Sequence, residues 1–365
     1  MKIMKSVIWM AVLLLLLALA GCGGGSSESS SSPTDNNDSQ SQEENNKEEA
    51  PSSDETFTFT LATAYQPAKH EYEPVHIGLE VFAERIKERT NGRVQLNIFY
   101  SNQLAPQDEL MNALAAGSVD FAFTAPQYYG DTIPTSFFTN IPFWSQGEDH
   151  GLSLIRDTEI GEIYEREVEA YGAKVLLYGA TGEYGIISKK PVRTLEDMNG
   201  LAFRAAGGLW APWYDEMGTS PVNIAAAEIY EALQRGTIDG IPFPYHTLDA
   251  YNYHEVADYI TYPAILDPAW MATYVSNKTW EKLPSDLQEI IIEVSLEIEQ
   301  EIIAGSIRLT EETMKIAEET GVEVIQLSDE EYERFFESAQ VVWDNFADVN
   351  EDTARIIEIM REKRQ

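Results

Sequence analysis

Glu109-Leu-Met-Asn-Ala113-Leu-Ala-Ala-Gly117-Ser-Val-Asp120 is followed, 119 residues further on, by Glu228-Ile-Tyr-Glu-Ala232-Leu-Gln-Arg-Gly236-Thr-Ile-Asp239. Both stretches run Glu, aliphatic, two variable positions, Ala-Leu, two variable positions, Gly, Ser or Thr, Val or Ile, Asp. A proline follows each, Pro126 and Pro244. Leu110, Ala113 and Leu114 in one copy, and Ile229, Ala232 and Leu233 in the other, have the spacing of one helix face. The glycine then suits a left-handed C′ position that ends the helix. A strand is expected to start at Val119 and at Ile238. Helix–glycine–strand units are common, so chance is a rival reading, but eight matching classes in twelve positions favour two α/β lobes of related build.

The flanking sequence agrees. Phe57, Phe59 and Leu61 alternate with threonines, and Val94, Leu96, Ile98 and Tyr100 alternate again, which reads as strand. Pro74 opens a helix with Leu79, Phe82, Ala83 and Ile86 on one face, closed by Asn91-Gly92. Strands alternating with helices predict mainly parallel sheets. Ser285-Asp-Leu-Gln288 after Pro284 reads as a capping box. Leu287, Ile291, Val294 and Ile298 continue a helical stripe from there toward Gly321, long enough to bridge both lobes.

The N-terminus is of another kind. Lys2 and Lys5 precede an apolar run from Val7 to Ala20, and Leu19-Ala-Gly-Cys22 ends it. This reads as a lipoprotein signal peptide over 1–21. The run is short for a membrane span, which needs about 20 residues. Cys22 is the single cysteine of the 365 residues. Acylated, it would hold the chain to the outer face of the cell membrane. Residues 22–55 then form a tether of Gly, Ser, Asn, Gln, Asp and Glu, too polar to bury a core. Its random-coil reach is about 30 Å.

The net charge of −36 argues against nucleic acid and against anionic lipid surfaces as partners. The tether holds only about −8 of it, so the folded part is itself acidic. Adaptation to high salt or high pH explains such a surface; an ordinary acidic secreted protein is the rival.

Further residues carry a resemblance. Gln103-Leu104, Gly117-Ser-Val-Asp120, Ile141-Pro-Phe143, Lys190-Pro-Val192, Leu195-Glu-Asp-Met-Asn-Gly200, Phe203-Arg204, Glu228 to Gln234, Asp239-Gly240, Val275-Ser-Asn277 and Leu283-Pro284 stand in an order and spacing that are specific together. Over about Phe57 to Asn350 the chain resembles the substrate-binding subunits of tripartite ATP-independent periplasmic (TRAP) transporters, the dicarboxylate-binding-protein family. The resemblance implies a two-lobe α/β fold of the periplasmic-binding-protein kind, with hinge strands and a long C-terminal helix spanning both lobes. One lobe would hold 57–181 and about 271–310, the other 182–270 and about 311–365. It implies a small organic acid as ligand and a membrane permease, driven by an ion gradient, as partner.

The family's carboxylate-clamping arginine falls on Arg204. A guanidinium fork matches a carboxylate with two hydrogen bonds, and a strand ending at Arg204 would deliver it to the cleft of an open α/β sheet. A surface arginine paired with an acid is the rival reading. The chain departs from the best-known members at Tyr184, where they carry a second arginine, and at Phe243, where they carry a ligand-binding asparagine. A pocket more apolar and aromatic than theirs is therefore expected, with Tyr65, Trp210, Trp213, Tyr245 and Trp270 in segments near it. Taken singly, each of these aromatics reads as core rather than as ligand contact; as a group they favour a ligand with an apolar or flat body.

Glu183 is a candidate partner for an amine on the ligand, or a surface acid. The five histidines are scattered, His254-Glu255 lacks the second histidine of a zinc site, and no nucleophile elbow occurs. No metal, cofactor or catalytic residue is expected, and the protein is read as a binding protein rather than an enzyme. A sensory ligand-binding module and a lipid-anchored enzyme on the same scaffold are the alternatives.

Overall fold

The computed structural model describes residues 55–364 except 206–207, 225–227, 267 and 269; the signal peptide, Cys22 and the tether lie outside them. Eleven strands form two sheets among the described residues. In chain order they are β1 Phe57–Thr63, β2 Val94–Phe99, β3 Phe121–Thr124, β4 Ala173–Ala180, β5 Tyr184–Ser188, β6 Ala202–Ala205, β7 Ser220–Asn223, β8 Gly240–Pro244, β9 Tyr259–Leu266, β10 Trp270–Ser276 and β11 Glu323–Gln326. The first sheet has the order β2-β1-β3-β10-β4, the second β11-β9-β5-β8-β6-β7.

The two repeat copies build the same device. The helices Leu110–Ala116 and Ile229–Arg235 end at Gly117 (φ 74°) and Gly236 (φ 71°), a backbone region that costs a side-chain-bearing residue energy. In each copy the next amide folds back: Ser118 N–H donates to Ala113 O at 3.0 Å, and Thr237 N–H to Ala232 O at 2.9 Å. The repeated aspartate then ties the copy to its parallel neighbour. Asp120 accepts from Thr60 N–H in β1 at 2.9 Å, and Asp239 accepts from Ala202 N–H in β6 at 3.0 Å. The strands start at Phe121 and Gly240, two residues later than Val119 and Ile238, because those two side chains are buried before the ladder begins.

The sheets are mixed rather than mainly parallel. β1 is parallel to β2 and β3, β6 to β7 and β8, and β9 to β11. Every antiparallel pair involves β5 or β10. These are the strands that enter a sheet just after the chain has crossed from the other one. β4 passes into β5 through Thr181–Glu183, and β9 passes into β10 around Pro268. β4 pairs with β10 and β5 with β9, so two antiparallel chains run side by side through both sheets as a hinge ribbon.

A helix over Ser285–Thr320 spans the two lobes and stops at Gly321 (φ 82°). Its first half buries Leu287, Ile291, Val294, Ile298 and Ile302 with Leu61, Phe121 and Leu177 of the first sheet. Near its end, Ala317 packs with Ile187, Ile241 and Ile260 of the second. The expected capping box does not form. Pro284 takes the N-cap position with an extended ψ of 151°, which places Ser285 inside the helix. Gln288 instead donates to the Trp280 and Leu283 carbonyls of the preceding turn. The last helix, Glu351–Lys363, returns to the first sheet's side, where Asp352 pairs with Arg166 and Arg355 with Glu159; the sequence reading had kept 311–365 with the second lobe.

Two electrostatic effects oppose each other on this fold. Arg85 and Arg89 bridge Glu293, Glu297 and Glu301 along the long helix at 2.7–3.5 Å. Such exposed pairs contribute about 0–1 kcal/mol each, and salt weakens them. The repulsion within a chain of net charge −36 is spread over the whole surface and is screened too, as the Debye length shrinks from about 30 Å at 0.01 M to about 3 Å at 1 M. The repulsion involves many more charges, so the melting temperature should rise across that range. A flat or falling trend in thermal melts would mean that the ion pairs dominate and that the acidic surface is no salt adaptation.

Candidate functional site

The parallel strands β1, β3, β6 and β8 send their C-terminal ends, and the loops that follow, toward the gap between the sheets, where open α/β folds hold ligands. Arg204 stands near the end of β6. It is buried, with 7 % of its surface exposed. Its Nε–H donates to Ile224 O at 3.4 Å, and its guanidinium carbon lies 5.3 Å from the centre of the Phe243 ring. No acidic side chain forms an ion pair with it among the described residues.

Phenols surround this cation. Burial raises the pKa of the Tyr128, Tyr184, Tyr214 and Tyr253 hydroxyls, and the charge of Arg204 pulls each of the four back down. All four therefore remain neutral near pH 7. Tyr214 O–H donates to Arg204 O at 3.1 Å. A chain of rings continues the wall: Trp210 to Tyr184 at 5.8 Å, Tyr184 to Phe243 at 6.1 Å, Phe243 to Tyr253 at 6.3 Å and Tyr253 to Tyr251 at 5.7 Å between centroids. Trp210 Nε1–H donates to Asn140 O at 3.0 Å, a bond between an element of the second sheet's lobe and the 134–140 turn of the first.

The opposite wall begins at Tyr65, two residues beyond β1. Gln107 donates to its hydroxyl at 3.1 Å, and Met271 Sδ lies 3.3 Å from that oxygen. Burial raises the Tyr65 pKa well above its usual value, and Tyr128 and Tyr251 add to the shift, so both rings stand near it.

Arg204, Tyr184, Phe243 and Trp210 thus come together, and Tyr128 lies within electrostatic reach of both Arg204 and Tyr65. Three aromatics from the same segments are core instead. Trp213 and Trp270 are buried, the first donating to Ser338 at 2.8 Å and the second edge-on to Trp144. Tyr245 is fully buried and donates to the Thr261 carbonyl.

Glu183 belongs to another group. Its backbone N–H donates to Thr310 Oγ1 at 3.1 Å on the long helix, and its charge is felt by Tyr245 and Tyr262, not by the four phenols at Arg204. One helical turn earlier, Ser306 accepts from Gly182 N–H at 2.7 Å and donates to the buried Glu148. His246 packs beside this crossing, and burial lowers its pKa to about 4. These groups hold the hinge.

Sequence reasoning missed Tyr128, Tyr214, Tyr251, Tyr253 and Gln107. A signal existed for Tyr128: it follows Pro126, directly beyond the strand of the first repeat copy. Among the described residues no group of three or more metal-ligating side chains occurs, and no helix is long and apolar enough to cross a membrane.

Residues 67–349 match the family of bacterial extracellular solute-binding proteins, family 7. The chain belongs to this family. The C4-dicarboxylate-binding periplasmic protein DctP of Vibrio cholerae is 25 % identical over 276 residues, which cover 75 % of this chain and 82 % of the relative. A TRAP periplasmic solute-binding protein of Ochrobactrum anthropi superposes with a TM-score of 0.78 at 21 % identity, covering 85 % of this chain and 96 % of its own. One from Desulfovibrio salexigens, with bound orotic acid, gives a TM-score of 0.74 at 23 % identity, covering 84 % and 98 %. This chain is therefore a family 7 extracellular solute-binding protein, and its two-lobe fold with the long spanning helix is the fold of those TRAP periplasmic solute-binding proteins.

Proposed function

We propose that this family 7 protein captures a small organic acid through its carboxylate, with Arg204 as the clamp and an aromatic pocket around the ligand body, and delivers it to an ion-gradient-driven membrane permease. One observation carries the reading: a guanidinium that is buried, has no acidic partner among the described residues, and is ringed by neutral phenols. A buried unpaired charge is costly. A ligand carboxylate entering the cleft would remove that cost, and neutral tyrosines can donate to the same anion. The family's role and the acids bound by relatives point the same way. An amine ligand held by Glu183 has less support, since that carboxylate lies with the hinge tyrosines. A family of solute-binding proteins also gives the enzyme alternative no support.

Calorimetric titration of organic acids into the wild type, Arg204→Ala and Glu183→Gln tests this. The arginine variant should lose binding and the glutamate variant keep it; the reverse ranking would overturn the clamp.

Cys22 is the proposed lipid attachment point. Cys22→Ser should fold normally and appear in the soluble fraction. If that variant stays with membranes through an alkaline wash, the acyl anchor is refuted.

A further inference from the structure

The segment Asn140-Ile-Pro-Phe143 belongs to the first sheet's lobe, because the 134–140 turn that leads into it packs on the Pro126–Tyr129 turn and on the helix Glu159–Tyr171. Three of its four carbonyls nevertheless accept side-chain hydrogen bonds from far along the chain. Trp210 Nε1–H donates to Asn140 O at 3.0 Å, Trp343 Nε1–H to Pro142 O at 2.8 Å and Arg364 to Phe143 O at 2.8 Å.

The Phe143 end is locked. Its φ of 60° lies in the left-handed region, which is costly for a bulky residue and persists only where the surroundings fix it. The ring stands edge-on to Trp213 at 6.2 Å, Tyr332 at 5.2 Å and Phe336 at 5.9 Å between centroids. Tyr332, Phe336 and Trp343 are on the helix Asp329–Ala347, which packs against β9 and the helix Ala211–Glu216 of the second lobe. Phe143 and Trp343 are both buried.

The Asn140 end is different, because its donor belongs to the ligand site. Trp210 lies edge-on to Tyr184 at 5.8 Å, Tyr184 meets Phe243 at 6.1 Å, and Phe243 lies under the Arg204 guanidinium at 5.3 Å. An unbroken line of contacts therefore runs from the buried cation of one lobe to a main-chain carbonyl of the other. Tyr184 also opens β5, directly after the crossing at Thr181–Glu183. The contact of Lys69 Nζ with the Ala250 carbonyl also joins the lobes, but it is longer, at 3.4 Å, and exposed.

We propose that Trp210 is a positioning residue that couples the Arg204 site to lobe closure. Its ring is backed by Tyr184 and Phe243, and its N–H draws Asn140, and with it the first lobe, over the cleft, while the Phe143 end serves as the pivot. The proposal rests on Arg204 as the carboxylate clamp and adds how the clamp is shut. A ligand filling the space against Tyr184 and Phe243 would hold Trp210 in register for Asn140. One net hydrogen bond is enough to shift an open–closed balance several-fold.

Small-angle scattering of the ligand-free wild type, Trp210→Phe, Tyr184→Leu and Trp343→Phe is the first test. Trp210→Phe keeps a ring and removes the donor, and it should raise the radius of gyration. Tyr184→Leu leaves the N–H but removes the ring behind it, and it should raise the radius by a smaller amount. Trp343→Phe removes the same kind of bond at the locked end. It should lower the melting temperature and leave the radius of gyration as in wild type. Thermal melts of the same samples separate opening from unfolding. Calorimetry with orotate and with D-glucuronate follows. Trp210→Phe should weaken either acid that binds wild type by about five- to tenfold, and Trp343→Phe by less than about twofold. If neither acid binds, the scattering decides alone. An unchanged radius of gyration in both Trp210→Phe and Tyr184→Leu, or an equal rise in Trp343→Phe, would overturn the latch. Acid binding lost in Arg204→Ala while Trp210→Phe stays closed would overturn the latch and leave the clamp standing. Acid binding that survives Arg204→Ala but weakens in an opened Trp210→Phe would support the latch and overturn the clamp.

Discussion

Arg204→Ala should weaken acid binding by about 30- to several-thousandfold, which corresponds to roughly 2–5 kcal/mol. The loss has two sources. Charge-assisted hydrogen bonds between guanidinium and carboxylate disappear, and the ligand anion is left in a cleft whose remaining walls are neutral phenols and rings. Arg204→Lys should recover only part of the affinity, because one ammonium cannot reproduce a planar two-donor fork. The unliganded variant should be no less stable than wild type, since the substitution removes a buried charge whose partners among the described residues are the Ile224 carbonyl and the Phe243 face. Titration calorimetry and thermal melts of the same samples separate a lost contact from a lost fold. Binding within a few-fold of wild type would end the clamp hypothesis.

Arg156→Met should cost about 3–5 kcal/mol of folding stability at neutral pH. Glu299, on the long helix, is 2 % exposed and accepts three hydrogen bonds from Arg156, together with one from Tyr178 N–H at 2.7 Å. Burial raises the Glu299 pKa above its usual value, and Arg156 holds that rise in check. Without the arginine the folded-state pKa must climb further while the unfolded value stays ordinary. A folded pKa raised above the unfolded one means stability that is present in acid and lost as pH rises through the folded value. The deficit should therefore be largest near pH 7 and shrink toward pH 5. Urea unfolding at both values checks this. Adding Glu299→Gln to Arg156→Met should restore much of the loss. A deficit independent of pH and not relieved by the glutamine would place the effect in packing against Tyr178, over whose ring Arg156 lies at 4.8 Å.

The features legible in the sequence were those that depend on near neighbours. The glycine stops at 117, 236 and 321, the alternation in β1 and β2, the aspartates that close the repeat and the extent of the long helix all follow from backbone conformation and periodicity. Arg204 was legible through its place in a motif. Strand direction was not. Sequence alternation of helix and strand argued for parallel pairing, but β5 and β10 enter their sheets from the opposite lobe and so run against their neighbours. The capping box failed for a related reason: Pro284 took the cap, and Gln288 found carbonyl partners in the preceding turn.

The aromatics show where sequence stops. Trp213, Tyr245 and Trp270 are as large and as near the cleft in sequence as Tyr65, yet they are core, while Tyr128 and Tyr251 are half exposed. Periodicity tells one face of an element from the other. It does not tell whether that face meets a second sheet or open space, because the partner surface comes from residues more than a hundred positions away. Glu183 was placed by the same rule. Its sequence position beside Tyr184 suggested the ligand, and the fold gave its carboxylate to the hinge, because Thr310 of the spanning helix fixes the backbone there. The chain by itself determined two related lobes, the helix that bridges them and the arginine at a strand end. Which rings surround that arginine was decided only when the two sheets met.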